Sequence, residues 1–179
     1  MIRQIALAGM LSLCTLPVSL PYQSLNASPA IFENLTGKWR GKGIVKATPK
    51  GKTESIRCRM NNKPNGKSGR LDLAGNCAVG GFVFSLNGFI QQNGSKNAYT
   101  ASMFRSLANL KQSNFSGKRS GKRINFSFKA RDRVSKQDIV AKILLNSKNA
   151  KAFDVQISRT DPASGKIFKV GTISFAKRG

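Results

Sequence analysis

Turn chemistry recurs along this chain at spacings of 15 to 28 residues, and that spacing limits what it can fold into. The clusters are Thr48-Pro-Lys-Gly51, Asn65-Gly-Lys-Ser-Gly69, Asn93-Gly-Ser95, Arg119-Ser-Gly121, Asn146-Ser-Lys-Asn149 and Asp161-Pro-Ala-Ser-Gly165. Gly reaches positive φ, Pro fixes its own φ, and Asn, Asp and Ser bond their own backbone, so such clusters reverse the chain. The stretches between them are short and alternate with period two, as half-buried strands do. From Arg123 to Arg131, Ile124, Phe126, Phe128 and Ala130 point one way while Arg123, Asn125, Ser127, Lys129 and Arg131 point the other. Phe153, Val155 and Ile157 repeat the pattern, and Ile139, Ala141, Ile143 and Leu145 do so with Val140 and Leu144 on the wet side. No amphipathic helix of useful length competes.

These strands imply an all-β fold, an antiparallel meander of about ten strands. Closure as an up-and-down barrel removes unpaired edges, and a β-sandwich is the alternative. No linker or repeat divides residues 31–179, which read as one β domain. Leu71 to Ser95 holds no cation and gathers Phe82, Phe84, Leu86, Phe89 and Ile90, so it reads as the most buried strand. Gly41, Gly43, Gly80 and Gly81 read as tight spots and bulges within strands.

Residues 1–30 read as a signal peptide rather than fold. Arg3 precedes an apolar run from Ile5 to Leu20, and Ser28-Pro-Ala30 offers small residues for cleavage after Ala30. A short membrane anchor is the competing reading. Lipoprotein processing at Cys14 is disfavoured by Leu13, which stands where a small residue is needed. The expectation is export to the periplasm or cell envelope, or secretion outside the cell.

An exported chain then keeps two thiols, Cys58 and Cys77, and their placement predicts a disulfide. A hairpin centred in Gly66-Lys-Ser-Gly69 sets position i against 135 − i. Cys58 then faces Cys77, Met60 faces Gly75, Asn62 faces Leu73 and Lys63 faces Asp72. Closing a loop of that size stabilises by about 3 kcal/mol in the chain-entropy model.

Chemistry is scarce. The chain has no histidine, which removes the commonest general base and the leading nitrogen ligand for zinc. Its seven acids are scattered singly, and no phosphate-cradling or dinucleotide loop is present. No enzyme activity, cofactor or metal is expected.

Charge is the other strong signal: 31 Lys and Arg against seven Asp and Glu, a net +24. Eleven of the cations fall between Lys38 and Arg70, and eight between Lys118 and Lys136. In Thr36-Gly-Lys-Trp-Arg-Gly-Lys-Gly43 the parity sets Trp39, Gly41 and Gly43 inward and Lys38, Arg40 and Lys42 outward. The two glycines are expected to make room for the Trp39 ring. Candidate polyanion contacts are Lys38, Arg40, Lys42, Arg57, Arg59, Arg123, Lys129 and Arg131. Aromatics are not interleaved with these cations, so specific nucleic-acid recognition is not expected.

The Gly37-x-Trp39-x-Gly41-x-Gly43 opening, Glu54 ahead of Cys58-Arg59, and Cys77-Ala78 nineteen residues later resemble a family of small exported proteins of alphaproteobacteria. The resemblance implies a Gram-negative envelope location and a retained Cys58–Cys77 staple, and it brings no activity with it. Gly37-Lys38-Trp39 is also similar to the first strand of lipocalin-like barrels, where Trp closes the barrel floor, although no N-terminal helix is evident in this sequence. The leading expectation is a non-catalytic, monomeric envelope barrel holding a small apolar ligand. The alternatives are a binder of polyanions (lipopolysaccharide, an anionic lipid surface or nucleic acid) and a secreted effector.

Overall fold

The computed structural model describes residues 30–66, 69–102, 114–131 and 136–178. The signal segment therefore lies outside the described residues. A short helix, α1 (Ala30–Leu35), precedes ten strands: β1 (Gly37–Val45), β2 (Glu54–Asn65), β3 (Arg70–Val79), β4 (Phe82–Gln92), β5 (Ala98–Ser102), β6 (Asn114–Ser120), β7 (Arg123–Arg131), β8 (Asp138–Asn149), β9 (Ala152–Thr160) and β10 (Ile167–Lys177). Each strand pairs antiparallel with its neighbour in sequence, and β1 pairs with β10 to close a barrel. That last ladder, from Trp39↔Lys177 to Val45↔Gly171, excludes the sandwich.

Alternation decides which side each residue faces. Ile139, Ala141, Ile143, Leu145 and Ser147 of β8 are buried, while Lys142 between them is exposed. Trp39 and Gly41 are buried between exposed Lys38, Arg40 and Lys42. Phe126 is buried, and Phe128 meets Phe115 edge to face at 4.4 Å, so both serve the core. Apolar residues line the inside and most strand cations, though not Arg159, face out, which is the reverse of the polarity of a membrane-spanning barrel. Among the described residues no helix is long and apolar enough to cross a membrane.

The β2–β3 hairpin has the register the cysteine spacing predicts, with Cys58↔Cys77, Met60↔Gly75, Asn62↔Leu73 and Lys63↔Asp72. Cys58 and Cys77 form a disulfide across it, Cα to Cα 4.1 Å, both sulfurs inside the barrel. Asp72 pairs with Arg70 on its own strand rather than with Lys63, at 2.6 Å.

Four sequence expectations are corrected. Leu71 to Ser95 is not one most-buried strand but the β3–β4 hairpin. Gly80 and Gly81 are its two-residue turn, at φ 55° and 82°, because positive φ at both central positions is what so tight a hairpin requires. Phe82 and Val83 consequently stand at a hairpin tip and are exposed. Asn146–Asn149 is not a turn: β8 continues through it with an irregularity between Ser147 and Asn149. The fourth correction is α1 itself.

Candidate functional site

One end of the barrel is sealed by α1. Ile31, Phe32 and Leu35 lie on one helical face and all are buried. Six residues are too few to hold a helix in water, so this one exists because that face packs into the barrel. Phe32 meets Tyr99 of β5 edge to face at 6.0 Å. Gly37, at φ 118°, ends the helix and turns the chain into β1. The last helical carbonyl, on Leu35, has no partner within the helix. It accepts the Trp39 indole N–H and the Asn62 amide N–H, each at 2.9 Å. Trp39 is thus buried as its parity requires, and it anchors the floor through α1.

The space beside Gly41 is not used by Trp39, contrary to the sequence expectation. A Cβ there would lie 2.5 Å from the Phe175 ring, directly opposite on β10. A Cβ at Gly43 would meet the β10 backbone at Thr172. Trp39 instead stands edge-on to Phe153 at 4.7 Å, and Phe153 stacks on Phe175 at 4.5 Å. The glycines let strands and rings close over the floor.

The rest of the inward face is apolar and incompletely buried. Val45, Met60, Leu73, Val79, Phe84, Leu86, Phe128 and Val155 are only partly buried, and register places every one of them on the inward face. A ten-stranded ring is wider than the eight strands whose side chains just fill their interior, which accounts for this. At the floor, the hydroxyls of Tyr99, against Phe32, and of Ser147, opposite Phe153, are buried without a protein hydrogen-bond partner.

Arg159 was missed at the sequence level, although a signal for it existed. The inward parity of Phe153, Val155 and Ile157 continues to Arg159, which lies opposite inward Ala141 and Phe168. Its guanidinium donates to the Ala47 carbonyl at 2.6 Å and lies 5.6 Å from the Phe168 ring centre. A half-buried cation therefore stands at the end away from α1.

The eight candidate polyanion contacts divide into two groups. Lys38, Arg40 and Lys42 on β1 and Arg57 and Arg59 on β2 form one contiguous outer face, with Arg40 directly opposite Arg59 and Lys42 opposite Arg57. Their other neighbours are Ala176 and Ser174 on β10 and Asn76 and Ala78 on β3, none of them acidic. Arg123, Lys129 and Arg131 sit on β7, across the ring from β2, and face Asn146, Val140 and Asp138. They do not join the first group. Like charges directly opposed across a strand pair are destabilising, and only the β1–β2 face carries such pairs among these eight. Beside that face Lys38, Arg59, Asn61 and Arg178 rim a depression of about 190 Å³ over Ala74 and Gly75. Asn61 and Arg178 left no sequence signal, since only the β1–β2 and β1–β10 registers bring them there.

No protein-family model matches the chain, and no curated protein matches it. Among solved structures that are similar is that of EF1p2_mFAP2b bound to DFHBI, at a TM-score of 0.44 and 10% identity, covering 86% of this chain and 100% of that one.

Proposed function

We propose that this chain is a non-catalytic binding module of the cell envelope that holds a small apolar molecule inside its barrel. The observation that carries the reading is the set of inward apolar side chains left half-exposed above a floor that α1 and Trp39 seal. Apolar surface left incompletely buried gains free energy when an apolar occupant covers it, at about 25 cal/mol per Å². Arg159 supplies a cation at the end away from α1, which suits an occupant with one polar or anionic end. The Cys58–Cys77 disulfide fits an oxidising, exported compartment.

A titration with the neutral fluorescent probe N-phenyl-1-naphthylamine tests this. Saturable binding of one probe per chain is expected, weakened at least tenfold by Leu86→Trp, which fills the lumen, while the thermal transition is retained. A probe that never saturates, or that binds Leu86→Trp equally well, would overturn the reading.

A further inference from the structure

Four large apolar side chains are exposed among the described residues: Ile44 at 58%, Phe82 at 78%, Val83 at 73% and Ile167 at 55%. All four stand at the strand ends away from α1. Ile44 is one residue from the end of β1, Phe82 and Val83 open β4, and Ile167 opens β10. Because β10, β1, β2, β3 and β4 are consecutive in the ring, the four belong to one arc of the mouth. A hairpin tip in water is served by polar residues, and Phe-Val directly after Gly80-Gly81 has no folding role there. Large apolar exposure confined to one end of the barrel singles that end out as an interaction surface.

Cations flank the arc on its β10–β1–β2 side, and one exposed carboxylate, Glu54, reaches the Gly80 turn at its other end. Lys50 and Lys52 in the β1–β2 loop and Lys166 in the β9–β10 loop are exposed. Below Ile44 on the same outer face lies the opposed pair Lys42 and Arg57, then Arg40 and Arg59 two residues further along, about 7 Å away. Basic residues also cover other parts of the barrel, so charge alone gives no orientation. The apolar arc does.

We propose that the barrel docks mouth first on an anionic phospholipid surface. Ile44, Phe82, Val83 and Ile167 enter the interfacial layer, while the loop lysines and the β1–β2 pairs meet headgroup phosphates. A bilayer fits better than one folded partner. It supplies phosphates at every lateral position, so both opposed like-charge pairs are neutralised without a matched shape. Docking is independent of what the lumen holds. It would also let an apolar molecule pass between bilayer and lumen without crossing water.

Sedimentation with vesicles of phosphatidylglycerol and phosphatidylcholine, against phosphatidylcholine alone, tests the proposal on the processed protein. Binding to the anionic vesicles is expected, with Phe82→Gln/Val83→Gln weakening it by about tenfold or more. Lys42→Gln/Arg57→Gln should weaken it more than Arg123→Gln/Lys129→Gln, with no variant's thermal transition lower than the parent's. A Phe82→Trp variant should be quenched by lipids brominated on their acyl chains; Trp39, buried at the sealed end, stays out of reach. Absence of binding to anionic vesicles overturns the proposal. So does full binding by Phe82→Gln/Val83→Gln together with complete competition by inorganic polyphosphate, which would assign the cations to free polyanions. Loss of probe binding in the lumen with vesicle binding intact would strike the proposed function alone.

Discussion

The Leu35 carbonyl is where residue-scale energetics can be read most directly, because one buried acceptor holds two donors. Trp39→Phe keeps a ring against Phe153 and removes one donor; Asn62→Ala removes the other. Each single change should cost about 1 kcal/mol beyond its packing loss. The double variant should cost more than the sum, since only then is the carbonyl left unpaired. Urea unfolding of the four proteins in this cycle checks it, and strict additivity would mean that the two bonds do not share the acceptor. Trp39→Ala should cost about 3 to 5 kcal/mol, as large core truncations do. The inward side of Trp39 was legible from parity. Its role as the clamp on a helix was not, because nothing near Trp39 in sequence shows that Asn62 reaches the same atom.

At the scale of elements, the β2–β3 hairpin and α1 make opposite lessons. The hairpin is local: two cysteines equidistant from a Gly-rich turn admit one register, and the structure has it. Mass spectrometry without reductant should find Cys58 and Cys77 in one linked peptide. Cys58→Ala/Cys77→Ala should lower stability by about 3 kcal/mol, measured by denaturant midpoint. Two freely alkylated thiols would contradict both. Helix α1 is too short to advertise itself, and its apolar residues Ile31, Phe32 and Leu35 acquire meaning only from the barrel end they fill. The β3–β4 turn failed for another reason. Gly-Gly inside an apolar run reads equally as a bulge or a reversal, and the pairing of Val79 with Phe82 resolves it.

For the whole molecule, a net charge of +24 on a closed barrel predicts that stability rises with salt. The thermal midpoint should climb as sodium chloride is raised from low to physiological strength. Arg40→Gln/Lys42→Gln should reproduce part of that gain at low salt, up to about 1 kcal/mol, by relieving the opposed pairs. A fall in stability on that substitution would mean that the pairs are held by partners other than solvent. Export is tested separately: N-terminal sequencing of protein from the envelope fraction should begin near Ile31, and a cytoplasmic product starting at Met1 would refute it.

What the sequence determined by itself is local and periodic. Alternation fixed which residues of each strand face in, turn residues fixed most of the reversals, and cysteine spacing fixed one hairpin register, because each depends on interactions within a short stretch of backbone. Tertiary structure decided the rest. Pairing of β1 with β10 chose barrel over sandwich, and the ring's width left Phe84, Leu86 and Val155 half-exposed inside it. The same closure set Arg40 against Arg59 while sending Arg123, Lys129 and Arg131 to the far side, and it gathered Ile44, Phe82, Val83 and Ile167 on one arc of the mouth. These placements depend on register between distant segments and on the circumference of the closed sheet, and no short stretch of sequence contains either quantity.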